Sequence, residues 1–244
     1  MLFYGERRKG YNLIKSFLKR VNLDGSIESF IISRNKTASK TDDNSIAVFG
    51  ECKEELFENE FALTEISGLK RVLDKFETVS FEEDQDKILF KNRKSKLTWL
   101  KADKRIIQNI PKQTKEELSS LYSDDAIRIR LEKEDIDLLL KVLESGIDNK
   151  IKFITSENNL NVVVGQEHRY SYETVLKEGN ITKNINNDYK VEHIVKVLKV
   201  VDSACDIILD CSLIGGESRS LPMTVKTSND KFDFTYFIAP VVGG

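Results

Sequence analysis

One helical pattern recurs four times along the chain at nearly regular intervals, and this recurrence limits the possible folds more than any other feature. Each copy places apolar residues at positions i, i+3, i+4 and i+7, the spacing of one buried helix face. The four copies span 14–21, 69–76, 136–143 and 194–201. A period of about 60 residues exceeds that of common solenoid repeats, so each repeated unit must contain more than a pair of helices.

Short strand-like runs fill the intervals between the helices, with turn-forming residues between them. About three runs follow each helix. In the last of them, 231–241, Phe232, Phe234, Tyr236 and Ile238 alternate onto one face, which is typical of a strand. Strands that are joined by short turns pair antiparallel. The sequence therefore predicts an α+β fold of four units, each a helix followed by antiparallel strands.

A long polar segment, 101–124, interrupts the repeat between the second and third units. It contains Pro111 and many charged residues. We interpret this segment as a connector between an N-terminal domain, 1–100, and a C-terminal domain, 125–244, because structureless insertions of this length are uncommon within a compact domain. An ordinary surface loop with one helical turn is the alternative interpretation.

The chain lacks the sequence motifs of the common enzyme classes. Neither of the glycine-rich phosphate loops, GxGxxG and GxxxxGK[ST], occurs, and GxSxG and HExxH are absent as well. The two histidines, His168 and His193, are 25 residues apart, and the three cysteines form no CxxC pair, so a zinc site lacks ligands. We therefore expect free thiols and a protein without catalytic residues, metal ion or cofactor.

Positive charge is concentrated in the repeated helices, although the whole chain has a net charge of −2. The four eight-residue segments carry +3, +2, 0 and +2. A basic helical surface on an otherwise acidic protein is typical of polyanion binding, and solvated helix faces that happen to be basic are the alternative. No aromatic side chain is interleaved with the cations, so we predict contact with the phosphate backbone of DNA, without sequence preference. The candidate DNA-binding residues are Lys15, Lys19, Arg20, Lys70, Arg71, Lys75, Lys141, Lys196 and Lys199.

Two stretches of the sequence resemble parts of the DNA sliding clamps. Residues 220–227, a turn and residues 232–240 are similar to the last hairpin of the eukaryotic and archaeal proliferating-cell clamps. Residues 63–73 through 96–103 resemble the corresponding helix, hairpin and pre-connector strand of T4-type bacteriophage clamps, the subgroup that looks closest. The four-unit architecture with a long connector resembles the family over the whole chain. The nearly neutral third helix departs from the family pattern.

The resemblance implies a DNA-clamp fold and a processivity factor that is not an enzyme. Such a protein would encircle duplex DNA as a homotrimeric ring, be loaded by a clamp-loader ATPase, and tether DNA polymerase and other replication proteins. A checkpoint-type subunit of a heterotrimeric clamp and a clamp-like interaction platform for transcription or virion assembly remain alternatives. No apolar run has the length of a membrane helix, and the N-terminal residues do not follow signal-peptide order. We therefore expect a cytoplasmic location, in the host cell if the protein is viral.

The resemblance also implies an apolar docking site for a partner peptide, under the connector and beside the C-terminal strand. Pro240 cannot donate a hydrogen bond to a strand ladder, so it should end the last strand near the surface. In the alternative interpretation, Phe237 and Ile238 are plain core residues of that strand. The implied docking residues are Pro222, Phe237, Ile238, Ala239 and Pro240, together with Ile106, Ile107 and Ile110 of the connector.

Overall fold

Four helices form over the repeated apolar pattern in the computed structural model of the chain, and a short fifth helix lies in the connector. The structure describes residues 4–75, 80–166, 170–179, 181–214 and 217–241. Phe76 at the end of the second predicted segment, His168, and the predicted turn at Gly215 and Gly216 lie outside the described residues. The helices are α1 (Tyr4–Asn22), α2 (Ile66–Asp74), α3 (Lys115–Ser119), α4 (Lys133–Glu144) and α5 (Val191–Leu198).

The first compact unit comprises Met1–Asp43, Ala47–Lys112 and Ser228–Phe234. It carries α1 and α2 and two runs of antiparallel strands, in the orders β4-β1-β2-β3 and β5-β6-β7. The strands are β1 (Ser29–Ser33), β2 (Lys36–Lys40), β3 (Ile46–Cys52), β4 (Glu60–Thr64), β5 (Ser80–Glu83), β6 (Lys87–Lys91) and β7 (Lys96–Leu100).

The second compact unit comprises Asn44–Ile46, Gln113–Thr227 and Thr235–Gly244. It carries α3, α4 and α5, and its larger strand runs are ordered β11-β10-β9-β12 and β17-β16-β13-β8, with β14 paired to β15. The strands are β8 (Ile127–Leu131), β9 (Lys150–Ser156), β10 (Asn159–Gln166), β11 (Tyr170–Lys177), β12 (Asn186–Lys190), β13 (Cys205–Leu209), β14 (Cys211–Ile214), β15 (Glu217–Ser220), β16 (Met223–Ser228) and β17 (Phe232–Ile238).

The repeated apolar pattern marks the buried face of its helices. In α1, Phe17 is 1% exposed and packs against the rings of Phe232 and Phe234, with centroid distances of 6.4 and 5.4 Å. Phe234 also covers Gly50, where an added Cβ would lie 2.3 Å from the ring. These contacts place residues 228–234 in the first unit, which the predicted division into 1–100 and 125–244 did not anticipate. Burying one such aromatic side chain stabilises the fold by about 1.5–3 kcal/mol.

The α+β class and the antiparallel pairing are confirmed. Among the described residues, three strands follow α2, in line with the predicted number of about three, whereas more follow the other repeated helices. Four strands follow both α1 and α4. The additional strands include β2, whose buried positions carry Thr37 and Ser39, and β12, whose buried positions carry Asn187 and Tyr189. Each of these side chains donates a hydrogen bond to a backbone carbonyl, which removes the cost of burying a polar group. The buried side of β2 therefore has no apolar residue by which the strand could be recognised, and that of β12 has a single one, Tyr189.

A buried ion pair anchors the start of the connector to the β5–β6 hairpin. Lys101 Nζ lies 2.7 Å from Glu83 Oε1, and the two side chains are 6% and 7% exposed. The ammonium group also donates to the Asp84 carbonyl at 2.7 Å and lies 4.4 Å from the centroid of the Phe61 ring. Glu83 accepts a further hydrogen bond from the backbone N–H of Glu58. The pair is thus fully surrounded by partners, as a buried ion pair requires.

We expect Lys101→Met to lower the free energy of unfolding by about 2 kcal/mol, because it leaves Glu83 buried with fewer hydrogen bonds. Chemical denaturation of the purified protein would measure the change. Lys104→Met is the matched control, since Lys104 makes its 2.6 Å ion pair with Glu60 at the surface. Equal stabilities of the two variants would show that the buried pair contributes no more than an exposed one.

Candidate functional site

Each compact unit contains two packed helices that carry most of the predicted DNA-binding residues, and each pair is linked by an ion pair. In the first unit, Lys15 Nζ of α1 lies 2.7 Å from Asp74 Oδ1 of α2. In the second unit, Lys199 Nζ, directly after α5, lies 2.7 Å from Glu144 Oε1 of α4. These two lysines are therefore partly neutralised, and each contributes a surface contact between its two helices.

The other predicted cations differ between the two units. Lys19, Arg71 and Lys75 are exposed and Lys70 is half-buried in the first unit, whereas the second unit contributes exposed Lys141 and half-buried Lys196. Among the described residues, none of these six makes an ion pair. Of the predicted cations whose side chains are described, four in the first unit thus lack an ion pair, against two in the second. We use the term basic helix face for either group of cations, Lys19, Lys70, Arg71 and Lys75 in the first unit and Lys141 and Lys196 in the second.

Arg20 does not belong to this surface, so its prediction as a DNA-binding residue is corrected. It is 3% exposed, and its guanidinium carbon lies 4.6 Å from the centroid of the Phe232 ring. The guanidinium also donates to the carbonyl oxygen of Ser16 at 3.2 Å. Position 20 is three residues after Phe17 and seven after Leu13, both of which are buried, so helical spacing places it on the inner side of α1. That spacing was available in the sequence.

The outer surface of α4 is more acidic than that of the other helices. Glu134, Asp137 and Glu144 are exposed, and Lys133 is paired with Asp137 at 2.8 Å. Leu138, at 54% exposed, lies beside them. The helix segment that the sequence indicated as nearly neutral thus has an acidic exposed side.

The connector presents two exposed isoleucines, as expected for a docking surface. Ile106 and Ile110 are 59% and 43% exposed, whereas Ile107 is 6% exposed and packs inward, so its predicted docking role is corrected. Asn109 holds the segment in place: its carbonyl accepts from the backbone N–H of Lys40 at 2.9 Å, and its side-chain amide donates to Asp42 at 2.7 Å. Because these hydrogen bonds of Asn109 hold the backbone, Ile106 and Ile110 can remain exposed on either side of it.

The C-terminal strand corrects two further docking residues. Phe237 and Ile238 are 3% and 0% exposed, because β17 is buried on both faces, so their alternative interpretation as core residues is right. Ala239 and Pro240 are half-buried, and the backbone N–H of Ala239 donates to the Ser45 carbonyl at 2.8 Å. A substitution such as Ile238→Ser would remove a core side chain and destabilise the fold, and thus could not test docking.

Pro222 is half-buried and is positioned by the last residues of the connector. Tyr122 Oη donates to the Pro222 carbonyl and accepts from Thr224 Oγ1 at 2.7 Å. Burial raises the pKa of Tyr122 to about 12, so the phenol is protonated at neutral pH and can donate. This network fixes the backbone of the β15–β16 turn and leaves part of the Pro222 ring accessible.

Exposed large apolar side chains of the described residues also occur on two strands at sheet edges, which the sequence analysis did not single out. Leu100 at the end of β7 is 66% exposed, and Tyr170 and Val175 of β11 are 62% and 45% exposed. Both strands terminate their sheets within the described topology. An exposed apolar edge strand is a surface on which another strand can pair.

The part of the chain that the structure describes contains neither a candidate metal centre nor a candidate membrane span. Its His, Cys, Asp and Glu residues form no group of three or more that could hold a metal ion. Its helices include none with the length and apolar character needed to cross a bilayer. Cys52 and Cys205 are buried free thiols, and Cys211 is half-buried. Burial raises the pKa of Cys205 to about 12, which keeps that thiol protonated and unreactive.

Comparison of the fold with solved structures finds the sliding clamps. The chain is similar to the PCNA2–PCNA3 complex of Sulfolobus tokodaii, with 13% identity, a TM-score of 0.68 and coverage of 95% of this chain and 96% of that one. It is similar to the same degree to proliferating cellular nuclear antigen from Entamoeba histolytica. The A. fulgidus PCNA bound to the C-terminal region of FEN-1 gives a TM-score of 0.70 at 13% identity, with 96% and 97% coverage.

The chain therefore has a PCNA-like clamp fold of helices and antiparallel strands, which confirms the predicted fold class. No protein-family model matches the sequence. No curated protein matches it either. Because identity to the structural neighbours is 13%, the likeness establishes the fold, and the function has to be argued from the surfaces of this chain.

Proposed function

We propose that the protein is a DNA sliding clamp: a homotrimeric ring that encircles duplex DNA and tethers DNA polymerase and other replication proteins, without catalysis of its own. The observation that carries this proposal is the pair of linked helices in each unit, which bury their apolar faces and leave cations uncompensated on the exposed side. Diffuse cations of this kind attract phosphates without reading bases, and no single contact has to be broken completely when the protein moves along DNA.

The exposed edge strands support ring closure. In this proposal β7 of one subunit pairs with β11 of the next, so that Leu100, Tyr170 and Val175 become buried. The two strands are different surfaces, so the contact is heterologous and repeats head to tail until the ring closes. Pairing would also remove two unpaired sheet edges from solvent, which favours association.

The size of such a ring suits duplex DNA. Twelve helices, four from each of three subunits, at about 10 Å each give a circle of axes about 38 Å across. Subtracting one helix diameter leaves an opening of about 27 Å, wide enough for a duplex of about 20 Å and a water layer. The loose fit supports a role in tethering rather than in recognition of a sequence.

We propose that partner proteins dock through the exposed connector isoleucines of the first unit, Ile106 and Ile110; Pro222, Ala239 and Pro240 of the second unit are proposed as separate contacts. A short partner segment needs one or two apolar anchors, and exposed isoleucines on a fixed backbone provide a matching surface. The structure of A. fulgidus PCNA bound to the C-terminal region of FEN-1 is an example of a clamp with a bound partner segment. By the same reasoning, a polymerase and a clamp-loader ATPase are the partners proposed for this chain.

We expect Ile106→Ser combined with Ile110→Ser to leave a folded trimer that binds DNA but stimulates DNA synthesis at least about tenfold less, because one lost apolar anchor costs about 1.5–3 kcal/mol. The assay is polymerase activity on primed circular DNA, with the polymerase from the same source. Leu138→Ser, which removes an equally exposed apolar side chain from α4, is the control. Full stimulation by the double variant would place the docking site elsewhere.

The proposal includes a subgroup and a location. The resemblance of residues 63–73 and 96–103 supports a T4-type bacteriophage clamp, and with it a location in the host cytoplasm.

A heteromeric ring is the second candidate for the assembly, since one structural neighbour is a complex of PCNA2 with PCNA3. Light scattering separates the two assemblies: a homotrimer of the 28.0-kDa chain has a mass of about 84 kDa, three times that of the chain, whereas a subunit that needs other partners stays a monomer.

A further inference from the structure

The tip of the β6–β7 hairpin is the most strongly basic short segment outside the helices. Residues 91–96 read Lys-Asn-Arg-Lys-Ser-Lys, four cations in six positions without an acidic or apolar residue. Arg93, Lys94 and Lys96 are exposed, and within the described chain none of them makes an ion pair. Lys91 is paired with Glu82 at 2.5 Å. We call residues 91–96 the basic hairpin tip.

The backbone of this tip is held in a defined conformation. The N–H of Asn92 donates to the Ser95 carbonyl at 3.0 Å, and the Asn92 side-chain oxygen accepts from the N–H groups of Lys94 and Ser95 at 2.9 and 2.7 Å. The turn therefore closes on its own hydrogen bonds and presents the cationic side chains outward. A ligand that binds them does not first have to order the backbone.

The charge arrangement works against stability of the hairpin itself. Lys91 and Lys96 lie directly opposite each other in the β6–β7 ladder. Like charges at such positions are destabilising, and Glu82 compensates Lys91 alone. A polyanion placed over the tip would remove this repulsion, which makes an anionic partner the favoured one.

The chain limits the distance between the basic hairpin tip and the basic end of α2. Ser80 pairs directly with Lys91, and Lys75, which follows α2, precedes Ser80 by five residues. Five residues span at most about 18 Å, and paired Cα atoms are about 5 Å apart, so the Cα atoms of Lys75 and Lys91 are within about 23 Å. Duplex DNA carries about 14 phosphates over that length, enough to contact both groups of cations at once.

We propose that the basic hairpin tip is a second phosphate-binding element, which contacts the same DNA as the basic helix face and has no sequence preference. This inference rests on the proposed function. The absence of apolar and aromatic residues from 91–96 disfavours membrane insertion, base stacking and a protein partner, each of which needs apolar anchors. The tip is at the end of β7 opposite to Leu100 and the connector, so DNA bound there leaves the connector isoleucines free.

The test compares two variants that lose the same charge. The tip variant is Arg93→Gln, Lys94→Gln and Lys96→Gln. The control is Lys112→Gln, Lys150→Gln and Lys231→Gln, three exposed lysines outside the helices and the tip. Binding to a mixed-sequence duplex of about 30 base pairs is followed by fluorescence anisotropy over about 50–200 mM salt. Thermal unfolding checks that both variants fold as the unmodified protein does.

Loss of three phosphate contacts should reduce the slope of log K against log salt by about 2.7 in the tip variant, with a much smaller change in the control. An equal change in the two variants would overturn the proposal, since the effect would then come from the lost net charge and not from phosphate contacts at the tip. The proposal would also be wrong if the tip variant kept its salt slope for DNA but lost binding to vesicles of equal parts phosphatidylserine and phosphatidylcholine. That result would make a lipid surface the partner.

The proposed function can fail independently of this result. Gln substitutions of Lys19, Lys70, Arg71 and Lys75, measured on the same duplex, test the basic helix face. If that variant binds normally while the tip variant is impaired, the clamp proposal fails and the tip remains a phosphate-binding element. If the helix-face variant is impaired and the tip variant is not, the clamp proposal stands and the tip proposal is wrong.

Discussion

A variant with Leu100, Tyr170 and Val175 each replaced by Asp should be a folded monomer of 28.0 kDa that no longer stimulates a polymerase. Each of these side chains is exposed in the single chain, at 66%, 62% and 45%, so folding does not depend on burying them. At the proposed β7–β11 interface, the loss of three apolar contacts would cost about 5 kcal/mol or more, at least about a thousandfold in Kd. Buried carboxylates would add repulsion and desolvation.

The matched control is Leu138→Asp, because Leu138 is 54% exposed on α4 and lies on no sheet edge. This variant should keep the mass of the unmodified protein in light scattering. A triple variant that remains a trimer would show that the ring closes through other surfaces. Loss of assembly in the Leu138 variant as well would point to a general effect of added negative charge.

Replacing Lys19, Lys70, Arg71 and Lys75 with Gln should nearly abolish binding to duplex DNA. Four lost phosphate contacts would lower the salt slope by about 3.6, which is about four-thousandfold in affinity at 0.1 M salt. Gln keeps the helix propensity of these positions, so α1 and α2 should remain folded. Anisotropy titration with duplexes of different sequence measures the change, and the loss should be equal for all sequences.

The corresponding change in the second unit, Lys141→Gln with Lys196→Gln, should weaken binding less, because α4 carries exposed Glu134 and Glu144 beside Lys141. The three-lysine substitution at positions 112, 150 and 231 serves again as the charge control. If the second-unit variant were impaired more than the first-unit variant, the prediction that the first unit contributes more to DNA binding would be wrong. A marked preference for one DNA sequence would contradict backbone contact altogether.

The helices could be predicted from the sequence because their packing requirement is local. Phe17 and Leu69, for example, lie on faces whose apolar spacing follows directly from helix geometry, and both are buried. Applied to Arg20, the same periodicity places it on the inner side of α1, and its prediction as a DNA-binding residue was therefore wrong. In β17, Ile238 follows the predicted alternation, whereas Thr235 and Phe237 on the opposite face are buried as well, which the alternation did not indicate.

The edges and exposed surfaces could not be predicted, because they depend on which strands end a sheet. The sequence of β11 is that of an ordinary half-buried strand, and only the order β11-β10-β9-β12 shows that Tyr170 and Val175 lie at an edge. In the connector, Ile106 and Ile107 are chemically identical neighbours. The fixed backbone at Asn109 and the local turn at Lys104–Ile106 determine which of them faces outward.

The most direct test of the central claim, that the protein encircles DNA, is its retention on linear duplex DNA with both ends blocked by bulky protein. In one sample the ends are blocked after the clamp is added, and in the other they are blocked before. At high salt, where phosphate contacts are screened, a closed ring that threads over free ends should remain on DNA blocked afterwards and be absent from DNA blocked beforehand. Equal retention in the two orders of addition would contradict encirclement and leave a protein that binds DNA from one side.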